Sequence, residues 1–284
     1  MILPHYVDVV RRTRAGADLS DVSLHGGQFH DVLIAPDRVY RFPRTATAAA
    51  ELPDRAALLT ALDELDLGVE VPTPLSDFDP SAPVGEGYLV LSRVHGTPLD
   101  RADATADAVI DVVAAEFTRV LRAMAATAPV DLVPTADPHR WAGFADGVRA
   151  ELFPLMDTAG RERAERELAA VRELDHLATG LVHGDLGGEN VLWQQIEELP
   201  RLVGIVDWDG AMVGDPAEDL AAVGASYGPD LLDRIIALLG VDRASTERRI
   251  EAYQGTFALQ QALAGARDGD DEELEDGLDG YRRA

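Results

Sequence analysis

Apolar positions change their spacing several times along the chain, and the changes mark out its parts. Residues 1–20 have the pattern of a helix and its exit. Two short apolar runs follow, 32–35 and 39–42, separated by Pro36-Asp37, which is hairpin turn chemistry. A helical stretch over 46–65 places Leu52, Leu58, Leu59 and Leu62 on or near one face, and Pro53 inside it predicts a start or kink there. Residues 67–83 are Pro-rich and connect. Residues 87–94, GYLVLSRV, read as a buried strand running into a loop at Gly96-Thr97-Pro98. Apolar spacing near 3.6 then predicts helices over 103–128 and 161–178. Two short apolar strands, in 181–193 and 201–208, interrupt this run and carry polar motifs, and helices resume after Asp219. No internal repeat or low-complexity linker is present. A small mixed part followed by a larger, mostly helical one makes the fold class α+β, divided into residues 1–92 and 93–284.

Composition narrows the function. The 284 residues hold 25 basic and 51 acidic side chains, for a net charge of −26. All the basic residues are Arg; the chain has neither Lys nor Cys. This length suffices for a real core, and 46% hydrophobic content is that of a globular chain. Without Cys there is no disulfide scaffold, Cys-ligated zinc, iron–sulfur cluster or thiol nucleophile. No apolar run approaches the roughly 18–20 residues of a membrane helix. The start, Met1-Ile2-Leu3-Pro4-His5, shows no secretory signal. The expectation is a soluble, cytoplasmic protein. Its field repels nucleic acid and anionic lipid and attracts cationic ligands, so neither nucleic acid nor membrane is expected as a partner. The same charge can equally be a compositional habit of a lineage, and eight of the acids lie in residues 268–279, which can be a solvated helix face.

The strongest motif is residues 181–193, LVHGDLGGENVLW: an apolar strand, a polar loop, a second apolar strand. Phosphoryl transfer to a hydroxyl needs a carboxylate at the acceptor and a metal on the phosphates. Asp185 can take or orient the acceptor proton, and Asn190 offers a neutral oxygen to Mg²⁺. His183 is expected to be a scaffold residue bonded to backbone. The alternative is a loop whose polar residues only cap turns. A second strand, 204–209 (GIVDWD), ends in Asp207, 22 residues after Asp185, and is followed by Gly214-Asp215-Pro216 and Asp219. Asp207 is the candidate metal carboxylate. Asp209 reaches a second Mg²⁺, faces the acceptor, or is a turn residue. Asp215 is expected to cap the loop, and Asp219 to be a helix N-terminal acid or to line the acceptor site.

The order H-x-D-x4-N, then an apolar strand ending in Asp, matches the catalytic elements of the protein-kinase-like fold. HGDLxxxN followed by an I-x-D-W/F strand resembles the aminoglycoside phosphotransferase family of antibiotic kinases. The segments GQFH (27–30), LSR (91–93), ELFPLM (151–156), RERAERELAA (161–170), HGDLGGENVLW, GDPAEDLAA (214–222), GASYG (224–228) and GTFALQQAL (255–263) are similar to the tuberactinomycin kinases within it. The resemblance implies a bilobal fold, with a small β-sheet-plus-helix N-lobe, a larger helical C-lobe and the nucleotide in the cleft. It implies transfer of the γ-phosphate of ATP or GTP, with Mg²⁺, to a serine hydroxyl of a cationic cyclic peptide antibiotic such as viomycin or capreomycin. Other readings are a kinase of another small molecule, such as an aminoglycoside, or a non-catalytic binder of nucleotide or antibiotic.

On the nucleotide side, Gly26 and Gly27 either cover phosphates or form a plain hairpin turn. The fold places a Lys on the next strand to hold the phosphates; here Arg41 or Arg44 would take that place. The helix carboxylate that pairs with that cation has candidates in Glu51 and Asp54, while Arg55 sits near the expected position. The backbone at residues 91–94, including Ser92 and Val94, would meet the purine. On the acceptor side, Asp209, Glu218, Asp219 and the acids of residues 268–275 are the candidate carboxylates for a cationic substrate. Trp141, Phe144 and Trp208 could lie flat against a peptide ring or belong to the core.

Overall fold

The computed structural model describes residues 4–13, 22–26, 30–76, 87–127 and 132–282. Helix α1 (Pro4–Thr13) precedes strands β1 (Ser23–Gly26), β2 (His30–Ile34) and β3 (Arg38–Pro43). Helix α2 (Ala46–Asp63) and strand β4 (Leu89–Ser92) follow. The four strands form one antiparallel sheet in the order β1-β2-β3-β4. Pro36-Asp37 closes the β2–β3 hairpin, with Ile34 opposite Val39 and the Ala35 N–H on the Arg38 carbonyl at 2.9 Å.

Strand alternation gives the sheet two faces with different duties. Tyr40, Phe42, Leu33 and Val90 pack with Tyr6, Val9 and Val10 of α1 in a small core of their own. Val39, Leu89 and Leu91 face the other way, into the main core, and Arg41 shares their side of β3. Helix α2 is capped by Thr45, whose hydroxyl accepts from the Ala48 N–H at 3.1 Å, and continues through Pro53. Of the start or kink expected at Pro53, the start is not found: the helix begins at Ala46, seven residues earlier, where a side-chain cap is available.

The rest of the chain is mostly helical. Short α3 (Arg101–Ala104), α4 (Ile110–Ala126), α5 (Arg140–Gly147) and α6 (Thr158–Arg172) lead to β5 (Gly180–Val182), β6 (Val191–Ile196), β7 (Leu199–Ile205) and β8 (Met212–Gly214). Helices α7 (Ala217–Tyr227), α8 (Pro229–Leu239), α9 (Arg243–Gln254), α10 (Phe257–Asp268) and α11 (Asp271–Gly277) complete it. Strand β5 pairs with β8, a strand that the apolar pattern does not reveal, and β6 pairs with β7 through Glu197-Glu198, both at positive φ as a two-residue hairpin demands. The helix expected over 161–178 begins at Thr158, capped by Asp157, and ends at Arg172.

One large core runs from Leu52, Leu58, Leu59 and Leu62 of α2 through Phe117 of α4 to Trp193, Trp208 and the α7–α9 helices. It crosses the 92/93 position without a break, so α2 is packed on the same apolar mass as the β5–β8 loops. A second core joins α5, α6, α10 and Tyr281.

A buried polar knot ties α9 to the start of α7. Asp215 and Arg249 side chains are 5% and 8% exposed. Arg249 Nε donates to Asp215 Oδ2 at 2.5 Å, the Tyr253 hydroxyl donates to the same oxygen at 2.6 Å, and Arg249 Nη2 reaches the Asp175 carbonyl at 2.9 Å. Asp215 Oδ1 accepts from the Ala217 N–H at 3.1 Å and so also caps α7. Asp215→Ala strands the Arg249 charge in the interior and is expected to cost about 3–5 kcal/mol, against about 1–2 kcal/mol for Tyr253→Phe. Urea unfolding midpoints of the two variants check that order.

Candidate active site

Two loops lie back to back at the ends of β5 and β7. His183, fully buried, follows β5. Its Nε2–H donates to the Val206 carbonyl at 2.9 Å, and its Nδ1 accepts from the Asp185 N–H at 3.2 Å. Both ring nitrogens are used inside the loops, the ring lies edge-on to Trp208 at 4.7 Å, and burial lowers its pKa. His183 is thus the scaffold expected of it. The Val206 N–H donates in turn to the Asn190 carbonyl at 2.9 Å.

Asp219 holds the first loop from beneath. Its oxygens accept from the His183 N–H at 2.9 Å and the Gly184 N–H at 3.0 Å. It is 1% exposed, and burial raises its pKa to about 7 against the pull of those two donors. Gly184 turns the chain outward at φ 87°, and a Cβ there would stand 2.6 Å from the Gly210 carbonyl oxygen. Only glycine fits that close approach between the two loops.

The turn presents Asp185 on the open side. Asn190 Nδ2 donates to the Asp185 carbonyl at 2.9 Å and to its Oδ2 at 3.1 Å. This fixes the amide with Oδ1 unused by any described residue. Desolvation, then the nearby Glu189 charge, raises the Asp185 pKa. Asp207 ends the second loop in a left-handed conformation, φ 64° and ψ 58°, which is strained for a non-glycine residue. No described residue donates to its carboxylate. Burial, then the Asp209 charge, raises its pKa, with Arg41 opposing. An unmatched carboxylate on one loop and a free amide oxygen on the loop bonded to it offer hard-oxygen donors, and Mg²⁺ is commonly held by one or two such side chains plus phosphate oxygens. No group of three or more His, Asp or Glu suited to a metal occurs among the described residues, so the two-donor set fits Mg²⁺ shared with a nucleotide better than a protein-only metal cage.

Asp209 follows on the short 3-10 turn Trp208–Gly210 and faces the sheet. Arg41 of β3 grips both of its oxygens, Nη1 to Oδ1 at 2.9 Å and Nη2 to Oδ2 at 2.6 Å. Arg55 of α2 donates to its carbonyl. Burial pushes the Asp209 carboxyl up, but Arg41 and Arg55 more than cancel this and leave it below the usual range. Arg41 is therefore the arginine that the sheet brings to the loops. Arg44 is exposed beyond β3, and its charge acts on Tyr6 of α1, on the opposite face. Gly26 ends β1 opposite Asp31, and Gly27 lies outside the described residues.

Several expected acceptor residues are committed elsewhere. Glu218 is paired with Arg140, its side chain 10% exposed, and Asp219 is buried under the loop, so neither carboxylate is open to a cationic substrate. Trp208 is core, with Nε1 on the Ile205 carbonyl at 2.9 Å. Trp141 and Phe144 pack on each other, and Trp141 also packs on Tyr253. The acids of residues 268–275 lie on and before α11, where Asp270 caps the helix and Glu275 pairs with Arg282. At the β4 exit the Ser92 N–H is spent on the Thr73 carbonyl at 2.8 Å, whereas no described residue bonds the Val94 backbone. Sequence reasoning missed His30, whose Nδ1 lies 3.2 Å from Arg41 Nη2. The signal for it is register: Arg41 pairs with Val32, two residues from His30 on the same strand face.

A kinase-like lobe arrangement with a H-x-D-x4-N loop and an apposed Asp turn defines a phosphotransferase. The chain belongs to the phosphotransferase enzyme family, whose model matches residues 21–253. It is an enzyme that transfers phosphate to a hydroxyl. A viomycin phosphotransferase from Streptomyces vinaceus is 50% identical to it over 99% of each chain. The GDP and kanamycin complex of APH(2″)-IIIa superimposes with TM-score 0.83 at 21% identity, covering 98% of this chain and 97% of that one. The macrolide 2′-phosphotransferase MphH from Brachybacterium faecium has TM-score 0.71 at 19% identity over 99% of both chains. The fold expected from the two motifs is the fold found.

Gly184→Ala would drive a Cβ into the Gly210 carbonyl at a positive φ. It is expected to cost about 1–3 kcal/mol and to uncouple the loops. A thermal melt lowered by several degrees, together with lost phosphate transfer, checks this.

Proposed function

We propose that this enzyme inactivates a tuberactinomycin-type cyclic peptide antibiotic, such as viomycin or capreomycin, by phosphorylating a serine hydroxyl. The single observation that carries the substrate is the 50% identity to a viomycin phosphotransferase over nearly the whole of both chains. The loop geometry supports the chemistry. Neither an aminoglycoside substrate nor a non-catalytic role is favoured, because that identity points to the peptide and the Asp185–Asn190–Asp207 set is complete.

The donor is a nucleoside triphosphate, ATP or GTP, taken up by the sheet and the N-terminal 1–92 lobe. Arg41 meets its phosphates, and the Val94 backbone, unbonded among the described residues, meets its purine. Residues 93–284 carry the acceptor side. Asp185, outward on the Gly184 turn, orients the acceptor hydroxyl and takes its proton as the new O–P bond forms and the nucleoside diphosphate leaves. Its raised pKa makes it a better base than an ordinary aspartate. Asn190 and Asp207 would hold Mg²⁺. Bound with the nucleotide, that ion would neutralise charge on the transferring phosphate. The enzyme works in the cytoplasm, where its donor is available; no helix among the described residues is long and apolar enough to cross a membrane.

Mass spectrometry of viomycin, capreomycin and kanamycin after incubation with enzyme, Mg²⁺ and either ATP or GTP tests the reading. One added phosphate on the cyclic peptides is expected, and a gain on kanamycin alone overturns it. In the same assay Asp185→Asn is expected to lose about 10²–10⁴-fold in turnover with nucleotide affinity kept.

The net charge of −26 should draw in a polycationic peptide. The KM for the antibiotic is therefore expected to rise with salt while that for the nucleotide changes little. A salt-independent antibiotic KM removes the electrostatic contribution.

A further inference from the structure

Arg41, in a chain without lysine, is held by a partner that the expected helix does not supply. Neither carboxylate candidate of α2 meets Arg41: Asp54 is exposed and bonds no described residue. Glu51 has a side chain 55% exposed and lies 3.6 Å from Arg55. Arg55 itself is turned to the Asp209 carbonyl. Asp209 takes the whole Arg41 fork, both oxygens against both terminal nitrogens, across 168 residues of sequence. The pair is largely sealed, with side chains 12% and 31% exposed. Asp209 stands two residues after Asp207, so one short turn would set both the metal-side carboxylate and the cation.

His30 extends the unit. A guanidinium can only donate, so the 3.2 Å contact with Arg41 Nη2 makes His30 Nδ1 an acceptor and puts the ring proton on Nε2. Burial, then the Arg41 charge, pushes the His30 pKa down to about 4, so the ring is neutral. His30 is 8% exposed, and its Nε2–H finds no partner among the described residues. Arg41 Nε–H is orphaned in the same way. Two buried donors on residues already in contact, with no acceptor among the described residues, suit an anionic oxygen from a ligand.

We propose that Asp209 is the positioning residue for Arg41, and that Arg41 and His30 together form the binding site for the donor nucleotide's phosphates, with His30 Nε2 donating to a phosphate oxygen. The assignment rests on the kinase reading above and deepens it. Asp209 then serves the donor and is not an acceptor carboxylate.

Calorimetry of ATP·Mg²⁺ and GTP·Mg²⁺ binding, beside steady-state kinetics, tests the unit. Asp209→Asn keeps the shape and removes the charge. It is expected to weaken nucleotide binding about 10- to 100-fold, the loss of a charge-assisted fork, with the antibiotic KM unchanged. Arg41→Lys should lose a similar factor, and the double variant should be no worse than either single one, since both break the same pair. His30→Phe keeps the bulk and removes the Nε2–H; weaker nucleotide binding at an unchanged melting temperature is expected. A raised antibiotic KM with normal nucleotide binding in Asp209→Asn overturns the proposal in favour of an acceptor role. Normal nucleotide affinity in both Asp209→Asn and His30→Phe overturns it as well. If the unmodified enzyme binds neither nucleotide, the kinase reading itself falls, which separates that failure from this one.

Discussion

The active region depends on the attachment of two loops that flank the β6–β7 hairpin. The His183 ring, pinned to the Val206 carbonyl and the Asp185 N–H, joins the β5 loop to the β7 turn. Asp219 clamps the same backbone from below. Asp185 and Asp207 keep their relative placement only while this attachment holds, and phosphoryl transfer is governed by placement. The attachment is made of buried polar groups whose donors and acceptors are matched. Losing one partner would leave its mate unsatisfied in the interior. Glycine at 184 is part of the same constraint, since the loops approach more closely there than any side chain allows.

An arginine-only set of cations suits this architecture. Arg41, Arg140 and Arg249 each bind a carboxylate in a partly or wholly buried setting and reach a further group with another nitrogen: His30, the Met212 sulfur, and the Asp175 carbonyl. An ammonium group also has several donors, but they radiate from one atom and lack the wide planar fork that spans such pairs of partners. In a chain with so many acids, these forks absorb selected carboxylates into the structure and leave others, Asp185 and Asp207 among them, with no cation bonded to them among the described residues. The resulting negative potential in the loops favours cationic ligands.

The β-sheet has two tasks that strand alternation separates cleanly. Tyr40 and Phe42 anchor α1. Arg41, between them in sequence, points to the opposite side, where the loops of the helical part stand. The large core continues from α2 into those loops, so the surface that carries Arg41 and Arg55 is seated on the same apolar mass as Trp208. The lobes are distinct in secondary structure but share their packing where the phosphates would lie.

Much of the molecule was legible in the sequence because it is local. The hairpin at Pro36-Asp37, the buried strand near residue 90 and the spacing from Asp185 to Asn190 depend on neighbouring residues and short loops. The order of these motifs carried the fold and the class of chemistry. Short β8 went unread because three residues hold too little periodicity. Helix α2 ran through Pro53 because Thr45 offered a cap earlier and the apolar face of the helix was buried. The acidic candidates divided for a different reason. Asp209, Glu218 and Asp219 look alike in sequence, all being acids close to a motif. Arg41, Arg140 and the backbone of residues 183–184 claimed them in the folded chain. By itself the sequence determined which residues could do chemistry, since that is set by type and local spacing. Only the tertiary structure decided which charges were already spoken for, because ion pairing across 168 residues leaves no trace in local pattern.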